Sequence, residues 1–351
     1  MLYWGVYCRW ADRPRKAETR MGAQRPQEKL MAMLQGASVS RMLQVANRLG
    51  VFETVAARPY TAQDLARRLK AHPEGITRLC NALVALEFLE KGPKGYRLSP
   101  AWSDYLLPEG KYSFKGYLDL YYDTWEEITH LEKTVRTGKP VRTAIDRIKK
   151  DPKQLKNFIN GMHGRAVTAA GLICNKLNLG DVRRMIDIGG GPGTYTLEWA
   201  SRYLKLHGLV FDLPQVIPIT KNYIKKYGLA TRVMTRAGDF HKDPLGQGYD
   251  LALLANILQM YGEEANLKLL SKVYDALVQG GRVVINGFFT DDTGTSPKES
   301  ALFAMFIATA MPEGNAYPVS RVLGWLKAAG FRESDAYEVD AVPRTVIVGA
   351  K

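Results

Sequence analysis

Three alternate glycines and three acidic residues carry the chemistry that this sequence can offer. The glycines are Gly189, Gly191 and Gly193, in the run Met185-Ile-Asp-Ile-Gly-Gly-Gly-Pro-Gly-Thr194, with Asp187 just before them. Such a turn lets bare backbone approach a ligand, because a Cβ at those positions would stand in the way. The helix it opens presents unpaired N–H groups and a positive dipole end. The spacing is GxGxG; the dinucleotide fingerprint GxGxxG would need its third glycine where Thr194 stands. Asp212 follows about 20 residues on, where a carboxylate can accept from both hydroxyls of a ribose. Asp239-Phe240 comes next, an acid that can meet an exocyclic amine beside a ring that can stack on a purine. Each alone reads equally well as a loop-capping acid or a core ring. Together they describe a site for a nucleotide-like ligand.

Positioning those residues takes a sheet. From Arg183 onward strands alternate with helices: strands Met185–Ile188, Leu209–Asp212, Val233–Ala237, Tyr249–Ala255 and Arg282–Phe288, and helices Tyr195–Leu204, Val216–Tyr227, Glu263–Leu277 and Ser320–Ala329. Trp199 and Leu204 read as apolar anchors of the first helix. Strands Phe331–Glu338 and Thr345–Val348 close the chain and can pair as a hairpin through Asp340 to Pro343, suiting an antiparallel edge. The pattern predicts an α/β fold with a mostly parallel, seven-stranded sheet covered on both faces. Asp187, Asp212 and Asp239 then share the carboxyl ends of neighbouring strands, where open α/β sheets bind ligands.

The first half reads differently. Helical periodicity covers Glu28–Leu49, Ala62–Leu69 and Glu74–Leu86, followed by short strands Phe88–Lys91 and Gly95–Ser99 around a Gly-Pro-Lys-Gly turn. That is a winged-helix pattern. Aromatic-rich helices fill Tyr105–Thr137, and a basic connector leads to a helix over Leu155–Leu177. We divide the chain into a tail (1–27), a winged-helix domain (28–105), a helical connector that contributes to an acceptor pocket (106–177) and a ligand-binding α/β domain (178–351).

The net charge is +14, and about two-thirds of the excess lies in the first 100 residues. A second basic stretch runs from Lys133 to Lys156. Such charge suits a solubilising surface, nucleic acid, anionic lipid or an acidic small molecule. Cys8, Cys80 and Cys174 are far apart, with no metal spacing, so buried thiols, no metal site and a reducing cytoplasm are expected. No apolar run approaches the ~20 residues that span a bilayer. Met1–Trp10 lacks the basic n-region and cleavage site of a signal peptide; Met21 and Met31 are alternative starts.

With these elements in place the sequence resembles the two-domain S-adenosylmethionine-dependent small-molecule O-methyltransferases related to caffeate and polyketide methyltransferases. The resemblance rests on Asp-Ile-Gly-Gly-Gly-Pro-Gly (187–193), Phe-Asp-Leu-Pro-Gln-Val (211–216), Ala-Gly-Asp-Phe (237–240) and Gly-Gly-Arg-Val-Val-Ile (280–285), and covers roughly 28–351. It implies a Rossmann-like class I methyltransferase domain with S-adenosyl-L-methionine as cofactor. The glycines and Asp187 would line its methionine part. Asp212 would hold the ribose, Leu213 flank the adenine, and Asp239 and Phe240 bind and stack on it. Phe158 and Met162 match a helix motif beside the transferred methyl, with Gly161 where alanine is usual. The winged helix would make a homodimer rather than bind DNA.

One departure stands out. The family carries a histidine after the fourth strand, and this chain reads Ile257-Leu258-Gln259-Met260-Tyr261. A carboxamide cannot take a proton from a hydroxyl near neutral pH. Another base can serve, with His163, which follows Met162, or Glu263 and Glu264 just past the loop as choices. Alternatively the acceptor needs none, being a thioether, a carbon or a pre-ionised oxygen, or the cofactor is kept and the chemistry is not methylation. A winged-helix DNA-binding regulator is a further reading, disfavoured because Arg78 and Asn81 are the main polar groups of its second helix. The acceptor pocket is expected from Tyr117, Tyr121, Tyr122, Trp125, Phe158, Met162, Phe303, Met305, Phe306 and Tyr317. The Lys/Arg excess suits an anionic acceptor, although no particular cation is placed in the pocket by the sequence.

Overall fold

The computed structural model describes residues 25–143, 151–339 and 344–351. Most of the expected tail with Cys8, the Arg147–Lys150 part of the basic connector, and the turn Asp340–Pro343 lie outside the described residues. Two compact units divide the chain, 1–42 and 43–351.

The described part of the first unit is the beginning of helix α1 (Pro26–Leu49), with Arg25 bonded to Glu28 at its start. Leu30, Met33 and Leu34, at i, i+3 and i+4, form an apolar stripe, each more than half exposed.

The second unit begins with the end of α1, α2 (Val51–Ala57), α3 (Ala62–Leu69) and α4 (Pro73–Ala85). Thr61 caps α3 by accepting from the Asp64 N–H at 3.2 Å. Pro73 opens α4 where a missing N–H costs nothing, and the His72 ring caps it. These helices close over Phe52, Leu65, Ile76, Cys80 and Leu83, all buried. The wing is the antiparallel pair β1 (Leu89–Gly92) and β2 (Gly95–Leu98). On α4 the polar groups are spent locally. Arg78 pairs with Glu74, and Asn81 Oδ1 accepts from the Tyr96 hydroxyl at 2.8 Å and from Lys91 at 3.1 Å.

Next come α5 (Ser103–Leu106), α6 (Lys115–Asp123), α7 (Trp125–Thr129), α8 (Leu131–Thr137) and the long α9 (Pro152–Lys176), capped by Asp151. Helix α6 meets α9 glycine to glycine: a Cβ on Gly116 would stand 2.7 Å from the Gly161 nitrogen. The glycine that replaces the family's alanine thus has a packing cause.

Seven strands form one sheet in the order β5-β4-β3-β6-β7-β9-β8. They are β3 (Arg184–Ile188), β4 (His207–Asp212), β5 (Val233–Ala237), β6 (Tyr249–Ala255), β7 (Leu277–Gly287), β8 (Arg332–Val339) and β9 (Arg344–Ala350). The first five are parallel; β9 runs antiparallel to both of its neighbours. The antiparallel strand therefore lies inside the sheet and β8 takes the edge, where the sequence suggested an antiparallel edge. Helices α10 (Thr194–Arg202), α11 (Ile217–Lys226), α12 (Glu263–Ala276), α13 (Lys298–Ala308) and α14 (Val319–Ala328) complete the unit.

Alternate strand residues feed two layers. Ile186, Leu254 and Ile285 pack with Leu270 and Val273 of α12 and Trp325 of α14. Met185, Leu253 and Val284 pack with Ile173 of α9, Trp199 of α10 and Ile224 of α11. Truncating a fully buried side chain such as Trp199 would cost about 3–5 kcal/mol. Leu204, expected as its partner anchor, is 75% exposed, because α10 stops at Arg202. Successive strands β3, β4 and β5 step to one side, and β6 returns to the other side of β3. This reversal leaves a crevice at the carboxyl ends of β3 and β6. No helix among the described residues is long and apolar enough to cross a membrane.

Candidate active site

The glycine turn sits at that reversal. Gly189, Gly191 and Gly193 have φ of 65°, 57° and 75°, a region side-chain-bearing residues rarely adopt. A Cβ on Gly189 would come within 2.5 Å of Ile257 Cδ1 and 3.3 Å of the Phe240 ring. The turn is bare because it must pass close to both. The Gly191 N–H donates to Asp212 Oδ2 and the Leu213 N–H to Asp212 Oδ1, both at 2.7 Å. The Asp212 carboxylate is thus fixed at the end of β4, with lone pairs left on each oxygen. Burial pushes its pKa up, and the two N–H bonds oppose that.

Beneath the turn Asp187 is fully buried. Its Oδ2 accepts from the Thr196 hydroxyl at 2.8 Å, and its Oδ1 has no hydrogen-bond partner. Burial raises its pKa to about 7, against the Thr196 bond and with the Asp212 charge adding to the rise. Leu213, next in the chain, is exposed. Asp239 accepts from the His241 N–H at 3.0 Å, and the Phe240 ring stands edge-on to Tyr261 at 5.7 Å.

These groups fit S-adenosylmethionine. The bare turn is a cradle that a Cβ would fill, and the orphaned Asp187 oxygen is an acceptor awaiting a donor. Asp212 is pre-ordered to accept from a diol, and Leu213 and Phe240 follow as an apolar side chain and a ring suited to a flat base.

Helix α9 contributes Phe158, packed with Val216 and Ile219, and the half-buried Met162. His163 turns the other way. Its Nδ1 lies 2.9 Å from the Thr194 hydroxyl, and its ring packs on Tyr223 at 4.2 Å and Tyr227 at 6.1 Å. Burial, then the Lys226 charge, lowers its pKa to about 4, so the ring is neutral.

Gln259 is buried after β6. Its Oε1 accepts from the Phe288 N–H at 3.2 Å, and its Nε2 donates to Asn256 Oδ1 at 3.4 Å. Asn266 holds the loop by donating to the carbonyls of Leu258 and Tyr261, both at 2.9 Å. Glu263 points outward to Arg321 at 2.5 Å, and Glu264 pairs with Lys268 on the exposed face of α12.

Of the expected pocket rings, Tyr117, Tyr121, Phe303 and Phe306 form a connected wall with Phe288. Tyr121 of α6 stacks on Phe306 of α13 (5.8 Å, 7°), and Phe303 stacks on Phe288 (4.3 Å, 15°). Tyr117 joins through its hydroxyl, 3.3 Å from that of Tyr121. Trp125 is half-buried at the start of α7. Tyr122 lies under Arg48, and Met305 is partly exposed. Tyr317 belongs instead to the core, packed on Trp325 and donating to the Tyr261 carbonyl at 2.7 Å. Sequence reasoning missed Asn256, Phe288, Arg165 and Arg344, which meet at the end of this wall. The one signal was an arginine opening an otherwise apolar strand, Arg344-Thr-Val-Ile-Val.

A sheet of this order with a glycine turn after its first parallel strand is the architecture of S-adenosylmethionine-dependent methyltransferases, and this chain is one of them. A model of the O-methyltransferase domain matches residues 129–332, and one of the O-methyltransferase dimerisation domain matches 31–108. The chain belongs to the O-methyltransferase family. It is 31% identical over 298 residues to a 3-hydroxy-5-methyl-1-naphthoate 3-O-methyltransferase of Streptomyces sahachiroi, covering 84% of this chain and 86% of that one. It is 25% identical over 339 residues to an L-tyrosine C(3)-methyltransferase of Streptomyces lavendulae, covering 92% and 93%. Among solved structures, human N-acetylserotonin methyltransferase with S-adenosylmethionine superposes with a TM-score of 0.85 at 23% identity, over 95% of this chain and 99% of that one.

Proposed function

We propose that the chain transfers a methyl group from S-adenosylmethionine to a small acceptor by in-line displacement, without a histidine base. The observation that carries this reading is Gln259. Both ends of its carboxamide are engaged by the Phe288 N–H and Asn256, and neither amide residue titrates near neutral pH. In this reading the turn and Asp187 hold the methionine part, Asp212 holds the ribose, and Leu213, Asp239 and Phe240 hold the adenine. When bound, the sulfonium supplies an electrophilic methyl and leaves as a neutral thioether. The protein's share is alignment, which accounts for much of the acceleration when the acceptor needs no deprotonation in the transfer step. Gln259 and Asn256 tie the end of β6 to Phe288, and the aromatic wall excludes water. Relatives named for transfer to naphthoate oxygen and to tyrosine carbon support a site whose acceptor atom varies within one frame.

His163 is a positioning group here. Residues two apart on a helix face about 200° apart, so His163 and Arg165 lie on opposite sides of α9. Arg165 faces the Phe288 and Phe303 rings. Glu263, paired outward, is likewise removed from the base role. We further infer a homodimer, supported by the dimerisation-domain match and the apolar stripe of Leu30, Met33 and Leu34.

The test is calorimetric titration with S-adenosylhomocysteine. Wild type should bind, and Asp212→Ala should lose roughly ten- to a hundredfold, the worth of a hydrogen bond or two to a charged group. A wild-type protein that does not bind would end the reading. Binding with no methyl transfer to any acceptor in a labelled-cofactor screen would favour the alternative, an enzyme that keeps the cofactor for other chemistry.

A further inference from the structure

Arg344 opens β9 just beyond the pairing of Gly287 with Thr345, which sets it across from Phe288. The residue is only 6% exposed. Its Nη1 donates to Asn256 Oδ1 at 2.7 Å, and its guanidinium lies 4.0 Å from the centre of the Phe288 ring. Arg165, reaching from α9, places a second guanidinium 4.7 Å from the same ring. Among the described residues no carboxylate pairs with either arginine. Burial pushes the Arg344 guanidinium down to about 10, with repulsion from Arg165 adding and the Tyr195 and Tyr117 hydroxyls opposing.

Two like charges converging on one ring, one of them buried, are costly unless an anion joins them. The surroundings are built for one. Phe288, Phe303, Phe306 and Tyr121 continue from the cations as a stacked wall. Asn286 lies on the same sheet face as Arg344, two residues back along β7 from Phe288, and donates to the Tyr195 hydroxyl at 2.6 Å. Asn256 joins Arg344 to Gln259, so Arg344 stands one residue away from the position where the family carries its histidine.

We propose that the acceptor is an aromatic carboxylic acid, its ring laid beside Phe303 and Phe306 and its carboxylate held by Arg344 and Arg165. A guanidinium fork matches two carboxylate oxygens, and a dry site strengthens the pair. The carboxylate is the anchor, and it fixes which pre-ionised oxygen on the ring faces the methyl; that oxygen gains the methyl as the carbon–sulfur bond breaks and the neutral thioether leaves, with no proton to place. The inference rests on the methyltransferase reading above. A carboxylate is also present on the cofactor, so the test must separate the two sources.

The probes are benzoate, 1-naphthoate and 2-naphthoate, each against its carboxamide, titrated calorimetrically into protein saturated with S-adenosylhomocysteine. At least one acid should bind tenfold or more tightly than its amide, roughly the worth of a charge-assisted pair. Arg344→Met should bring acid and amide within about threefold, and so should Arg165→Met, which is less buried and spares the fold, with S-adenosylhomocysteine affinity kept within about threefold. Wild type showing no preference for any acid would overturn the proposal and leave the methyltransferase reading standing. So would a preference that survives both substitutions. Weakened S-adenosylhomocysteine binding with the acid preference intact would assign the arginines to the cofactor's carboxylate instead. Wild type that fails to bind S-adenosylhomocysteine at all would remove both readings.

Discussion

His163 Nδ1 and the Thr194 hydroxyl stand 2.9 Å apart, and this contact joins the helix before the cofactor turn to the helix that leaves it. The glycine turn is thereby braced from behind, by a ring held neutral between Tyr223 and Tyr227.

That brace is acid-sensitive. The unfolded chain protonates this imidazole near 6.5, and the folded one only near 4. The folded state resists the proton, so stability is intact above pH 6.5 and falls as pH drops toward 4. Between pH 7.5 and 5 this group should cost wild type roughly 2 kcal/mol. Denaturant melts of wild type and His163→Gln should differ by about that much in their loss, and identical losses would count against it. The variant should keep kcat within severalfold at pH 7.5; a fall of orders of magnitude with cofactor binding intact would make His163 the base after all.

Asp187 titrates in the opposite sense. Its folded pKa of about 7 lies above the ordinary 3.8, so its contribution is present at low pH and lost as pH rises through 7. A bound α-ammonium group would favour the carboxylate and expel the proton. At pH 6.5, titration with S-adenosylhomocysteine in buffers of different ionisation heat should show release of roughly 0.7 proton per site. Asp187→Asn should abolish the release. Equal heats in all buffers would show that Asp187 does not meet the ammonium.

Restoring the family residue should bring nothing. With an acceptor that needs no base, Gln259→His should leave kcat within about threefold, and wild-type kcat/KM for the acceptor at saturating S-adenosylmethionine should be level from about pH 6 to 9. A tenfold gain in the variant, or a bell-shaped wild-type profile, would reinstate general-base catalysis.

The apolar stripe on α1 gives a prediction about assembly. Leu34→Glu puts a charge beside Leu30 and Met33 and should convert a dimer to a monomer by light scattering at micromolar concentration, with the near-ultraviolet spectrum unchanged. A variant that remains dimeric would place the interface elsewhere.

The sheet was legible because its strands are apolar runs punctuated by glycine and acidic ends, and the bounds of β5 and β6 agree with the sequence reading. The wing and the start of α3 at Ala62 were equally readable, since each is a local event, whereas α4 begins at Pro73, one residue before the expected Glu74. Helix α13 was not foreseen as an element, although Phe303 and Phe306 were. It is apolar nearly all round, so no period of 3.6 separates one face. The cation pair was invisible for a different reason. Arg165 and Arg344 lie 179 positions apart in the chain, and only the placing of β9 inside the sheet brings them to one ring. Burial of an arginine is a property of topology, and composition reported only that arginines are plentiful.

The bare contact between Gly116 and Gly161 has a consequence for how the enzyme could diversify. In the proposed reading the acceptor lies beside Tyr117 and Tyr121 of α6 and Met162 of α9, so the gap between these helices would set the width of its slot. One added methyl on either glycine would meet backbone at about 3 Å or less and push the helices apart. On that reading the slot's calibre is written in two missing side chains, and a change of acceptor size need not touch any residue that the acceptor itself meets.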